Sequence, residues 1–144
     1  MDKTTDQFAS LISQHVFIVW KPGYDLGIPI LDDQHRGIVS TINSLHFCMK
    51  CNHAHTILRP IIHMIYDYTL VHFKMEELFL SNKDFPGAQE HQALHEKLTV
   101  RLNQVGRDTL LNHDPLKFLG FLKEWWVHHI LHEDLLFRDL LLTK

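Results

Sequence analysis

His72 and Glu76 stand four residues apart, as do His91 and His95, and four residues on a helix lie on one face. In both cases that face is the apolar one: the first pair continues Ile61, Ile65 and Tyr68, and the second is followed by Leu98, Leu102 and Val105. His35 shares the stripe of Ile38, Val39 and Ile42, and His129 extends that of Phe118, Leu122, Trp125 and Trp126. A buried imidazole or carboxylate without a partner costs on the order of 2–7 kcal/mol even when neutral. One inward histidine is ordinarily a hydrogen-bonded core residue. Four stripes that each turn histidine inward, two with a second ligand-type residue one turn on, point instead to a shared metal between the helices.

The number of donors narrows the metal. Five histidines and two or more acids exceed the four ligands of one structural zinc. Carboxylates able to bridge, together with imidazoles, suit a pair of iron ions. The ferritin-type arrangement is a poor match, because Glu-x-x-His pairs are missing and "HEDL" and "HEKL" reverse that order. Cys48 and Cys51 in "CMKC" have no second CxxC to complete a zinc site, and read as reduced thiols near a helix end.

Long helices must position these residues. Proline and glycine break the chain near 21–33 and 83–88 and, with "NHDP", at 112–115, and "CNHAHT" makes a weaker break. Between them lie helical patterns from about Gln34 to Met49, His55 to Leu80, Ala88 to Leu110 and Pro115 to Leu142, with Asp32 and Asp33 as N-cap candidates for the first. Short connections predict an all-α, antiparallel up-down four-helix bundle over 21–144, with residues 1–20 as an N-terminal arm packed across it. "VFIVW" suggests one short extended piece.

The 144 residues suffice for one domain and its core. A net charge of −3 gives no reason to expect a nucleic-acid partner. The absence of a leader pattern and of an apolar run of roughly 18 residues predicts a cytoplasmic protein without a membrane segment.

Four stretches together resemble the hemerythrin family, specifically a bacteriohemerythrin domain: "GIPILDDQHRGIVSTIN" after Trp20, "HFKMEELF", "HQALH" and "WWVHHILHEDLLF". The resemblance runs from Trp20 through nearly the whole chain. It implies a non-haem di-iron centre in the bundle core with an oxo or hydroxo bridge. By resemblance, His91, His95 and His129 bind one iron, His35 and His72 bind the other, and Glu76 and Asp134 bridge. The three-histidine iron is then closed, and the two-histidine iron keeps a position for dioxygen. Trp125, Trp126 and Ile130 would line the oxygen pocket. The implied function is reversible dioxygen binding for carriage, storage or delivery rather than catalysis. The alternatives are an oxygen or redox sensor with a downstream signalling module or redox partner, and a di-iron oxidase, peroxidase or nitric-oxide-handling enzyme.

Two departures remain. On an ideal helix at about 100° per residue, Glu133 lies about 40° from His129 and Asp134 about 140° away. Asp134 can share a face with His129 only through a local π-bulge, which brings positions i and i+5 together. Trp126 stands where the family usually has leucine, about 60° from His129, and places bulk beside the dioxygen position. His46, His53, His55, His63 and His113 match no ligand position and read as surface or helix-end residues, as do His128 and His132.

Overall fold

A computed structural model describes residues 17–82, 84–135 and 138, without the side chains of Val127 and Glu133. Residues 1–16 of the expected arm, and most of the chain after Leu135, lie outside the described residues. Among the described residues four helices run antiparallel: α1 (Pro29–Lys50), α2 (Ala54–Asn82), α3 (Ala88–Asn112) and α4 (Pro115–Trp125), the last continuing into a π-helical segment (Trp126–Asp134). The turns between them are only a few residues long, which forces consecutive helices to pack side by side. Among the described residues there is no strand, and no helix is long and apolar enough to cross a membrane.

Helix α1 begins five residues before the expected start. Pro29 sits in its first turn, where the missing N–H costs nothing and the fixed φ favours the helix. The expected caps therefore fall inside the helix, and Ile28 is the N-cap residue. Asp32 is buried and reaches backwards: its carboxylate accepts from the Leu26 N–H at 2.6 Å and the Gly27 N–H at 3.1 Å. It thus ties down the loop entering the bundle. "VFIVW" is likewise not a strand in its described part. Asn43 on α1 accepts from the Phe17 and Ile18 N–H groups and donates to the Ile18 carbonyl, so one side chain replaces a strand partner.

The apolar stripes meet along the axis. Ile38, Ile42 and Leu45 of α1, Ile61 and Ile65 of α2, Leu102 of α3, and Phe118 and Leu122 of α4 are buried in one cluster. Each such side chain contributes roughly 1.5–3 kcal/mol. Gly37 marks the closest approach of α1 and α2. A Cβ there would lie 2.2 Å from the Tyr68 hydroxyl, so α1 could not seat against α2 with any larger residue unless Tyr68 moved. This core occupies the middle of the bundle and leaves one end to polar side chains.

Candidate metal centre

Those side chains form two donor clusters. In one, Glu76, His91, His95, His129 and Asp134 bring donor atoms within 4.8 Å of one another; in the other, His35, His72, Glu76 and Asp134 do so. All seven are buried. They come from α1 (His35), α2 (His72, Glu76), α3 (His91, His95) and the π segment (His129, Asp134).

Both clusters contain the same two carboxylates, and each carboxylate divides its oxygens between them. Glu76 Oε1 meets His91 Nε2 and lies 3.1 Å from His95 Nε2, while Oε2 lies 3.1 Å from His72 Nε2. Asp134 Oδ1 lies 3.3 Å from His91 Nε2 and 3.2 Å from His129 Nε2; Oδ2 lies 3.3 Å from His35 Nε2 and 3.7 Å from His72 Nε2. His35 and His72 bring their Nε2 atoms within 3.0 Å of each other.

Proximity does not satisfy these atoms. Both oxygens of Asp134, both ring nitrogens of His129, Glu76 Oε2 and His35 Nδ1 have no aligned hydrogen bond. Leaving a buried polar group unmade costs about 1–3 kcal/mol each. A cation shared by lone pairs satisfies such a set where mutual hydrogen bonding does not, so the residues present fit a metal.

Without the metal the group is electrostatically frustrated. Burial pushes His35 down to about 3, helped by the nearby His72. Burial opposes charge on His72 too, but its contacts with Asp134 and Glu76 outweigh that and raise it to about 9. Burial tends to raise Glu76, yet His72, His91 and His95 hold it well below the usual carboxylate range. Burial and the Glu76 charge raise Asp134 well above that range. His129 is lowered, chiefly by burial.

The π segment resolves the face problem. Nine residues, Trp126–Asp134, take the i→i+5 geometry, so His129 and Asp134 point to one place. The expected bulge is present and is longer than a single turn. The side chain of Glu133, the rival under regular geometry, lies outside the described residues.

Two positioning groups have no signal in the stripes. Gln34 Oε1 lies 3.0 Å from His72 Nδ1, and Glu77 Oε1 lies 3.0 Å from His95 Nδ1. Each is placed to accept a hydrogen bond from Nδ1–H, the tautomer that leaves the Nε2 lone pair facing the cluster. Each adjoins a candidate ligand in sequence, Gln34 beside His35 and Glu77 beside Glu76, but reaches a ligand on another helix. Aromatic rings complete the wall. Phe73 lies flat on His95 with centroids 3.8 Å apart, and Trp125 is parallel to His129 at 6.3 Å. Trp126 meets His35 edge-on at 5.9 Å, with Trp20 and Tyr24 on its other contacts. Trp126 therefore adjoins the two-histidine cluster and Trp125 the three-histidine one, and Ile130 is buried in the same core.

Known proteins are similar to this chain over most of its length. The family profile described as "Hemerythrin HHE cation binding domain" matches residues 26–141. A bacteriohemerythrin of Pseudomonas aeruginosa is 32% identical over 123 residues, covering 81% of this chain and 76% of that protein. One from Stenotrophomonas maltophilia is 28% identical, covering 85% and 80%. A hemerythrin from Sipunculus nudus is 28% identical, covering 85% and 92%.

Proposed function

The chain belongs to the hemerythrin family, and from that premise we propose that it binds dioxygen reversibly at a pair of non-haem iron ions, for carriage, storage or delivery. One observation carries this reading: Glu76 and Asp134 each turn one oxygen to a three-imidazole cluster and the other to a two-imidazole cluster. Two carboxylates that each face both clusters are suited to bridge two ions. Imidazole with carboxylate, and no cysteine in either cluster, favours iron over structural zinc.

In this proposal His91, His95 and His129 hold one iron, His35 and His72 hold the other, and Glu76 and Asp134 join them. The second cluster is one imidazole short, and that shortfall is where dioxygen would bind. When bound, the iron pair supplies the electrons that dioxygen takes up and returns. The residues around it orient and protect. Gln34 and Glu77 fix the rings of His72 and His95. Trp125, Trp126, Ile130 and Phe73 exclude water, which slows loss of reduced oxygen species. Trp126 stands against His35 and so narrows access on the side where dioxygen would enter. A reducing, cytoplasmic setting fits the two free cysteines, Cys48 and Cys51.

The test is an iron count followed by anaerobic reduction and readmission of air, watched by visible absorption. Two irons per chain and a band that comes and goes with dioxygen are expected. Zinc, a single metal or the lack of a reversible band would sink the proposal.

A further inference from the structure

Among the described residues, seven histidines stand outside the donor clusters. Two of them line one cavity at the other end of the bundle. His55, in the first turn of α2, and His113, in the turn between α3 and α4, line a cavity of about 460 Å³ with Asn52 and Arg59. Leu58 and Leu110 are among its apolar lining residues. That volume lies within the roughly 300–1,000 Å³ of small-molecule sites.

The charge on this cavity is one-sided. None of its lining residues is acidic. Arg59 has no ion pair or hydrogen bond among the described residues, whereas Arg36 at the metal end is paired with both Asp25 and Asp33. The acid next to His113, Asp114, is already used: it accepts from the Lys117 N–H at 3.1 Å as the cap of α4. The rim is built from two tight turns, with Asn52 and His113 both in left-handed backbone (φ 59° and 51°), so it is formed before any ligand arrives. An unpaired guanidinium beside two imidazoles and an apolar wall matches an anion with a hydrocarbon body. It matches bare phosphate poorly, because phosphate has nothing to place on Leu58 and Leu110.

We propose that this cavity is a second binding site, for a small monocarboxylate with an apolar body. The carboxylate pairs with Arg59 between His55 and His113, and the body lies on Leu58 and Leu110. A guanidinium binds a carboxylate through two parallel N–H···O bonds, which gives orientation as well as attraction. The site is independent of the metal reading: His55 and His72 lie 17 positions apart on α2, roughly 25 Å at 1.5 Å per residue.

Octanoate is a suitable probe, titrated into the full chain with amide chemical shifts followed by NMR. Saturable shifts confined to residues around 52–59 and 110–116 are expected, alike with and without iron. Octan-1-ol, of equal chain length without the charge, and inorganic phosphate should each bind at least about tenfold more weakly. Arg59→Gln should bring octanoate down to the level of octanol, while the melting temperature and iron content stay unchanged; Arg59 is exposed, so the fold does not depend on it. Absence of saturable shifts, shifts centred elsewhere, equal binding of octanol or phosphate, or an unaffected Arg59→Gln variant would each overturn the proposal. A chain that takes up no iron yet binds octanoate here would refute the di-iron reading alone.

Discussion

Helix α2 turns His72 and Glu76 to the centre four residues apart on a regular α-helix, whereas the π segment turns His129 and Asp134 to the same centre five apart. The side chains match the two backbones. Glutamate has the extra methylene to reach inward from an undistorted helix. Aspartate is shorter, and at five-residue spacing it would face away unless the helix widened. The π geometry is rare and confined here to the residues that need it. Where a longer side chain can reach, the helix stays regular; where the shorter one is used, the backbone changes.

The strongest way to break this comparison is Glu76→Ala. It removes the carboxylate both clusters share and leaves His72, raised to about 9, without its nearest counter-charge. Iron should be lost from both positions, and the iron-free fold weakened by about 3–5 kcal/mol, the usual cost of stranding a buried charge. Two irons per chain in this variant, by elemental analysis, would refute a bridging role.

Asp134→Ala comes next, because Glu133 beside it is available as a substitute. If the π segment holds its geometry, no carboxylate takes the place of Asp134 and most of the iron is lost. Full iron content would mean that the segment had relaxed to a regular helix and rotated Glu133 inward.

A smaller effect is expected at the positioning groups. Gln34→Ala and Glu77→Ala should each weaken iron binding by about 10–100-fold without unfolding the chain. Competition with a chelator measures this, and unchanged affinity would make both hydrogen bonds incidental.

The pH response of the iron-free protein tests the frustration of the cluster. His35 is lowered from 6.5 to about 3, so the unfolded chain takes the proton first and stability falls as pH drops below 6.5. His72 is raised from 6.5 to about 9, so its stabilising protonation is complete below 6.5 and is lost as pH rises towards 9. The iron-free melting temperature should therefore peak near pH 6.5 and fall on both sides, and iron should flatten the profile. A curve that rises throughout would contradict the His72 shift, and one that falls throughout would contradict the His35 shift.

The smallest change is expected from Trp126→Leu, which should speed dioxygen entry and autoxidation a few-fold in stopped-flow measurements. Unchanged rates would make Trp126 a volume filler.

Spacing made the four helices and six of the seven donors legible, whereas Asp134 came only through the family resemblance, because the 3.6-residue period favours Glu133. His72 with Glu76, and His91 with His95, lie on stripes that the 3.6-residue period defines. Once the resemblance named Asp134, its conflict with His129 under that period pointed to the π segment. What spacing could not reveal was contact between elements. Asp32 has the sequence of a helix cap, but Pro29 starts the helix earlier and Asp32 serves the preceding loop instead. Gln34 and Glu77 adjoin candidate ligands, yet the rings they meet belong to other helices. "VFIVW" has the composition of a strand but, in its described part, meets only the side chain of Asn43 as a partner.

A wide helical turn also has an angular effect downstream. It bears on what the described chain places beyond Asp134. Arg138, four residues on, lies with its guanidinium 3.3 Å from the carbonyls of Gly23 and Asp25, in the loop that leads into α1. The widened turn thus sets where Arg138 meets that loop. Restoring ordinary pitch would swing Arg138 off that loop as surely as it would swing Asp134 off the centre, so the two contacts are geared together.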